Sequence, residues 1–577
     1  MKKRSLLALI LSLAISVCAA GSVAYGDDRV PWIPQLAIQN DLSYHGVIFE
    51  DPAFLRFDFS LLQGADNNGN LFTCKSSTDP HCANMNLKYS SVLKPCETSG
   101  ETNCIESLAA IDTSSTVTTA HFEKYTVTNH YNDYPADLRL GIPQGSMPSI
   151  WSIPTAPHAG GDLYAVIADL SGMVSPEGKA NPGYSSFSVS LVPVTLKDFG
   201  TGRGTQAENW EGVVPNIYYD FCSEFQQLPT RVNADCAHVD GPDCLLPTNI
   251  QGQCYEKEEF TTNDRFKVKL RLATEPTGWL HGRMVDPDIS ITKDPTQGVD
   301  LTVAAGNIEV PMVYQGADWD SLPPALQQFW VDCTKHGDDC AQGYFGGPQA
   351  KPNFWDLAGT LDGNKQVNMT LLPYASGNYA LSAVTALAPL VGNKAYAMTT
   401  SWSFRSLTSG EMSGADSCFK STSGIKGIVT TNSMAYSAGP PSFANGTLNY
   451  KVSSTHFNPD GSVFKGSYNL GIRSDVARCL YGFTSAPINA TISITGENGT
   501  PEVATTVVGE KNGWLYLSAN NFEFSAPTVQ VKLSQDAPAT LSSPAKTATK
   551  QAAITCIKGK ISKLVKGNTC PTGYRKK

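Results

Sequence analysis

Arg265–Leu272 reads RFKVKLRL, with basic and apolar side chains in strict alternation. Successive side chains of a strand point to opposite faces. Phe266, Val268, Leu270 and Leu272 therefore share one face, and Arg265, Lys267, Lys269 and Arg271 the other. Helical spacing would mix the charges into the apolar side, whereas a half-buried strand separates them. Leu163–Ala168 (LYAVIA) and Phe187–Val192 (FSVSLV) read as further strands, the first more fully buried. Charged residues make up only 16% of the chain, and 49 Gly and 36 Pro punctuate such short runs. The chain is expected to be mainly β.

With 577 residues, several domains are expected. Residues 27–311 read as one elaborated N-terminal β domain or two smaller ones. Residues 312–407 read as a small mixed α/β segment. There, Ser321–Trp330 (SLPPALQQFW) opens on a capping residue and prolines and continues with helical spacing, and Tyr379–Leu387 offers a second short helix before Pro389. Residues 410–533 carry seven candidate strands at the spacing of a β-sandwich: 426–431, 447–453, 467–472, 490–495, 503–508, 514–519 and 528–533. Tight-turn sequences separate several of them, NPDG at 458–461, ENG at 497–499 and EKNG at 510–513. Ser474–Tyr481 reads as a short helical turn. Residues 534–551, rich in Ala, Ser, Thr, Pro and Lys, read as a linker, and 552–577 as a separate tail.

The first residues point to export. Lys2, Lys3 and Arg4 precede an apolar run from Leu6 to Ala20, and Ala24-Tyr25-Gly26 places small residues at the two positions a signal peptidase reads. Residues 1–26 are expected to be a signal peptide, and no transmembrane segment is expected after cleavage. Cys18 admits a lipoprotein signal, but Val17 stands where Gly, Ala or Ser is wanted. Setting Cys18 aside leaves an even number of cysteines, as a disulfide framework requires. Close neighbours suggest Cys74–Cys82, Cys96–Cys104, Cys333–Cys340 and Cys556–Cys570, with Cys222–Cys254 around Cys236–Cys244, and Cys418–Cys479.

Charge is unevenly divided. Overall the chain carries −9, yet nine of its 43 basic residues and none of its 52 acidic ones lie from Lys546 onward. Cys556 and Cys570 bracket a lysine-rich stretch, so a bridge between them would close a small hairpin, worth on the order of 3 kcal/mol through the unfolded state. Such a hairpin would present Lys558, Lys560, Lys563 and Lys566, with Arg575, Lys576 and Lys577 beside them. An anionic cell-wall polymer or membrane surface is the expected partner. The acidic body argues against nucleic acid.

Other chemistry finds little support. There is no G-x-S-x-G, no phosphate loop and no zinc-ligand spacing, so no catalytic, metal or cofactor-binding residue is assigned. His121, His130 and His281 read as structural. Asp66–Asn70 (DNNGN) begins like a calcium loop, but its glycine falls early and position twelve is Ser77. Asp286/Asp288, Asp318/Asp320 and Glu208/Glu211 are carboxylate pairs near in sequence, whereas a glycosidase needs two carboxyls across a cleft.

Three stretches carry a resemblance: Thr277–Met284 (TGWLHGRM); Arg473–Phe483 (RSDVARCLYGF) with 504–508 (ATTVV) and 513–515 (GWL) after it; and the tail motifs ITCIKGK (554–560) and CPTGYRKK (570–577). These resemble parts of uncharacterised exported proteins of actinobacteria, and the tail resembles an end shared by otherwise different members of that group. The resemblance implies an attachable C-terminal module and transfers no catalytic residue. The expected function is thus a non-catalytic, exported, envelope-associated protein. The alternative is a secreted polysaccharide-binding protein or glycoside-active enzyme, with a glycan as ligand.

Overall fold

A computed structural model describes residues 46–49, 60–65, 71–82, 84–128, 133–175, 186–198, 244–248, 253–261, 264–294, 298–316, 324, 369–371, 381–382, 384–385, 388–389, 391–395, 397–420, 424–437, 439–484, 488–495, 501–502, 505–524, 528–535 and 553–577. The expected signal peptide, the helix at 321–330 apart from Pro324, and nearly all of the linker lie outside these residues. The same holds for Cys222, Cys236, Cys333 and Cys340 and for the side chains of Cys244 and Cys254. The protein is mainly β and divides into two compact units. One comprises the chain to Phe483 with Ala490–Leu533, and the other Thr484–Asn489 with Ser534–Lys577. No helix among the described residues is long and apolar enough to cross a membrane.

A long sheet forms the spine of the first unit. Strand Leu163–Val174 pairs along one edge with Asn86–Val92 and Ser149–Ser152, and along the other with Ser186–Asp198. The sheet continues through Ala397–Ser406 to Gly278–Arg283. Gly278–Arg283 pairs in parallel with Ile425–Thr431, and Lys465–Arg473, Trp514–Glu523 and Thr505–Lys511 follow antiparallel. Hydrogen bonding therefore runs across positions 311 and 407–410, where the sequence pattern placed domain limits.

A five-stranded sheet, ordered 285–294, 298–306, 265–272, 104–111, 117–119, covers one face of this spine. Phe266, Val268, Leu270 and Leu272 enter one core with Tyr164, Val166, Val189, Phe404, Leu280 and Ile428. Each such side chain contributes roughly 1.5–3 kcal/mol on burial. On the outer face Lys269 reaches Glu106 and Asp300, each at 2.9 Å. Arg271 departs from its expected solvation and is buried. Its Nη1 donates to the carbonyls of Thr98, Ser99 and Glu101, so the loop closed by Cys96–Cys104 folds over it.

The opposite face of the spine is covered by strands Thr447–Ser453, Thr528–Gln535 and Ile488–Thr495, with the Tyr450 and Tyr468 rings 5.5 Å apart across the layers. Ile425–Thr431 thus has neighbours on both sides and every residue of it is buried, as parallel pairing favours. Gly427 is required there: a Cβ would lie 2.5 Å from the Trp279 ring. Strands 505–511 and 514–523 join through Asn512-Gly513, both at positive φ, the turn that EKNG announced. Helix Ser474–Tyr481 ends at left-handed Gly482, and Cys418–Cys479 ties it to the 409–420 turns. Closing a loop of 61 residues is worth about 4 kcal/mol. In the middle segment, residues 381–382 and 384–385 are helical, and Thr385 Oγ1 donates to Leu381 O.

Candidate functional site

Within the second unit, residues 553–577 form a small sheet, not a bare hairpin. Ala553–Lys558 pairs with Ile561–Lys566 across a turn at Gly559 (φ 60°), and the chain end returns as Arg575–Lys576 to the free edge of the first strand. The Cys556–Cys570 bridge joins this middle strand to the returning segment. Lys577 N–H donates to Thr555 O, which fixes the terminus. Ile554 and Cys556 are buried, too small a core to hold a sheet alone, so the disulfide is needed.

Lys558, Lys560, Lys563, Lys566, Arg575, Lys576 and Lys577 are all exposed. Register divides them. Lys563 and Lys576 stand opposite Cys556 and share its face, as does Lys558, whose Nζ lies 6.0 Å from the Tyr574 ring. Lys566 and Arg575 lie on the other face with Leu564. Leu564 is 71% exposed and Ile561 64%, among the most exposed large apolar side chains in the described residues. Sequence reasoning saw the lysines and missed these two, although the alternation ISKLVK places apolar and basic residues on both faces. No acidic side chain lies anywhere in this sheet to offset the positive field.

A cleft of about 360 Å³ opens in the first unit, between Val384, Thr385, Ala388, Pro389, Gly392 and Asn393 on one side and the strand end at 453–456 on the other. Asn393, Ser453, Ser454, His456 and Thr385 supply its polar groups and Phe524, Val384 and Pro389 apolar ones, and among the described residues no charged side chain lines it. Its residues come from distant parts of the chain. The one local hint in sequence was the polar run Ser453-Ser454-Thr455-His456 ending an alternating strand.

The remaining candidates that fall within the described residues are His281, His121, Asp286 and Asp288. His281 is 1% exposed, stacked on Tyr436 at 3.7 Å. Burial, reinforced by the Arg283 and Arg405 charges, holds it neutral, with its pKa well below the ordinary value. His121 is exposed and lies opposite Ser152, with Glu123 between them. A nucleophilic triad needs serine to donate to histidine; here Ser152 Oγ donates to Glu123 at 2.5 Å, and the histidine contacts that same carboxylate at 3.3 Å. Asp288 pairs with Lys511 at 2.7 Å, and Asp286 takes the Ser518 hydroxyl, so both tie the 285–294 strand to the spine. His130, Asp66, Glu208, Glu211, Asp318 and Asp320 lie outside the described residues. No cluster of three metal-ligating side chains occurs among the described residues.

No family model matches the chain. Neither the curated proteins nor the solved structures include a match to it. Cys74–Cys82, Cys96–Cys104, Cys418–Cys479 and Cys556–Cys570 are bonded, which suits an oxidising compartment.

Proposed function

We propose that the protein is exported, non-catalytic and retained at the cell envelope, with the C-terminal sheet as its attachment device. The observation that carries this reading is the concentration of seven exposed cations on a disulfide-closed sheet that holds no acidic side chain. A cation at an anionic surface contributes roughly 1 kcal/mol. A flat surface engages one face and the nearby turn or terminus, so three or four cations supply about 3–4 kcal/mol, a hundredfold or more in retention. The partner is the anionic surface of the envelope, a wall polymer or lipid headgroups. Such attachment weakens as salt shortens the screening length.

The test is fractionation of cells producing the full chain or a chain ending at Ser534. The full chain is expected in the envelope fraction and to be released by high salt, while the shortened chain is expected in the medium. Equal retention of both, with release of neither by salt, defeats the proposal. Purified wall polymer and vesicles with and without anionic lipid then separate the two surfaces.

A further inference from the structure

The cleft at 384–393 and 453–456 has a chemistry of its own, independent of the tail. His456 Nδ1 lies 2.8 Å from Phe524 O. A carbonyl only accepts, so Nδ1 carries a hydrogen, and in the tautomer with a single ring hydrogen the lone pair lies at Nε2. Asn393 Oδ1 takes the His456 backbone N–H at 3.0 Å, which leaves the amide NH₂ as a donor. The Ser454 hydroxyl is buried and has no hydrogen-bond partner among the described residues. A hydroxyl so placed costs about 1–3 kcal/mol unless something satisfies it. An acceptor, a donor and a hydroxyl that can play either part thus share one small cleft.

The arrangement is preorganised. Asn393 is left-handed (φ 55°), a conformation asparagine tolerates better than most residues. Its carbonyl accepts from both His456 N–H and Phe457 N–H, and Ala395 N–H donates back to Phe457 O. Phe524, on the apolar side, is held by a parallel stack on Phe464 at 5.3 Å.

We propose that this cleft binds one uncharged sugar residue. A sugar hydroxyl gives its hydrogen to His456 Nε2 while accepting from Asn393 or Ser454, and the C–H face of the ring lies against Val384, Pro389 and Phe524. The lining among the described residues has no Asp, Glu, Lys or Arg, so a carboxylate or ammonium would lose its water there without a counter-ion. The volume of about 360 Å³ falls at the small end of ligand sites, roughly 300–1,000 Å³, and suits a single ring or the end of a saccharide chain.

The test uses the full chain, titrated with glucose, galactose, mannose and N-acetylglucosamine, and with glucuronate and glucosamine as charged comparators. Binding is read by saturation-transfer NMR and calorimetry. At least one neutral sugar is expected to bind saturably, with each charged comparator about tenfold weaker or worse. Ser454→Ala removes a hydroxyl with no partner among the described residues, so it should leave melting of the free protein unchanged or raise it, and weaken the sugar by up to about tenfold. Asn393→Asp keeps the turn and the acceptor for His456 N–H but replaces the free donor with a charge, and should weaken binding at least as much. The proposal fails if no neutral sugar binds saturably, if glucuronate binds as tightly as glucose, or if both variants bind like the parent.

Discussion

Replacing Asp169 with asparagine should change how stability depends on pH. Asp169 lies in the spine strand 163–174, is 2% exposed, and accepts from Ser90 Oγ at 2.6 Å. Burial disfavours its charged form and pushes its pKa from 3.8 up to about 7, against the opposing pull of the Ser90 hydroxyl. Below pH 4 both folded and unfolded chains hold the proton, and the group costs nothing. Between the two pKa values the unfolded chain releases it while the folded chain keeps it, so stability falls as pH rises. Above pH 7 the loss is complete. Three units at 1.36 kcal/mol each make it about 4 kcal/mol. Asparagine does not titrate and keeps an acceptor for Ser90. Asp169→Asn should therefore match the parent at pH 4 and exceed it progressively to pH 8, by up to about 4 kcal/mol. Denaturant midpoints of both proteins at pH 4, 6 and 8 measure this, because other titrating groups cancel in the difference. A difference that stays flat with pH, or that favours the parent as pH rises, refutes the reasoning.

Other perturbations have equally definite outcomes. Gly427→Ala would push a methyl group to 2.5 Å from the Trp279 ring and 2.8 Å from Gly471 O. It should cost about 1–3 kcal/mol in denaturant melts, and a loss under about 0.5 kcal/mol contradicts the packing described. Replacing Ile561 and Leu564 together with serine should leave the melting temperature unchanged, since both are exposed. It should weaken sedimentation with anionic vesicles at least tenfold, and leave binding to a soluble polyanion intact; unaltered vesicle binding would mean that charge alone acts. Removing the Cys556–Cys570 bridge by serine substitution opens a closure of 14 residues, worth about 3 kcal/mol. Trypsin should then cut at Lys563 and Lys566 much faster, as mass spectrometry of timed digests would record. Equal rates would show that the sheet stands without its bridge.

Much of the strand order was legible because alternation is a local property. RFKVKLRL could satisfy its faces only as a strand, and the strand occupies the expected residues 265–272. The strands expected at 447–453, 514–519 and 528–533 occur at 447–453, 514–523 and 528–535, and the helix at 474–481 was equally plain, since each announces itself within a few residues. Two turn signals, NPDG and EKNG, likewise act through their own φ angles. The positive charge of the tail is simple composition. The Cys556–Cys570 link was inferred from closeness in sequence and Cys418–Cys479 as a tie to the helical turn, and the geometry bonds both.

Partner choice was not legible. Pairing of 278–283 with 425–431 joins segments nearly 150 residues apart, and the backbone groups that make those bonds are the same at every position. The return of Arg575–Lys576 to the tail sheet is two residues long, too short for any periodic signal. Arg271 looked solvated because alternation assigns a face, while burial depends on what a remote loop places above it. The cleft depends on Asn393, Ser454, His456 and Phe524 meeting, and none has meaning alone. Sequence by itself determined which segments are strands, where cations gather and which cysteines have near partners, because these follow from local sterics and composition. Tertiary structure alone decided which strands share a sheet, which exposed groups stand together and where a hydroxyl is left waiting, because those are properties of contacts between segments far apart in the chain.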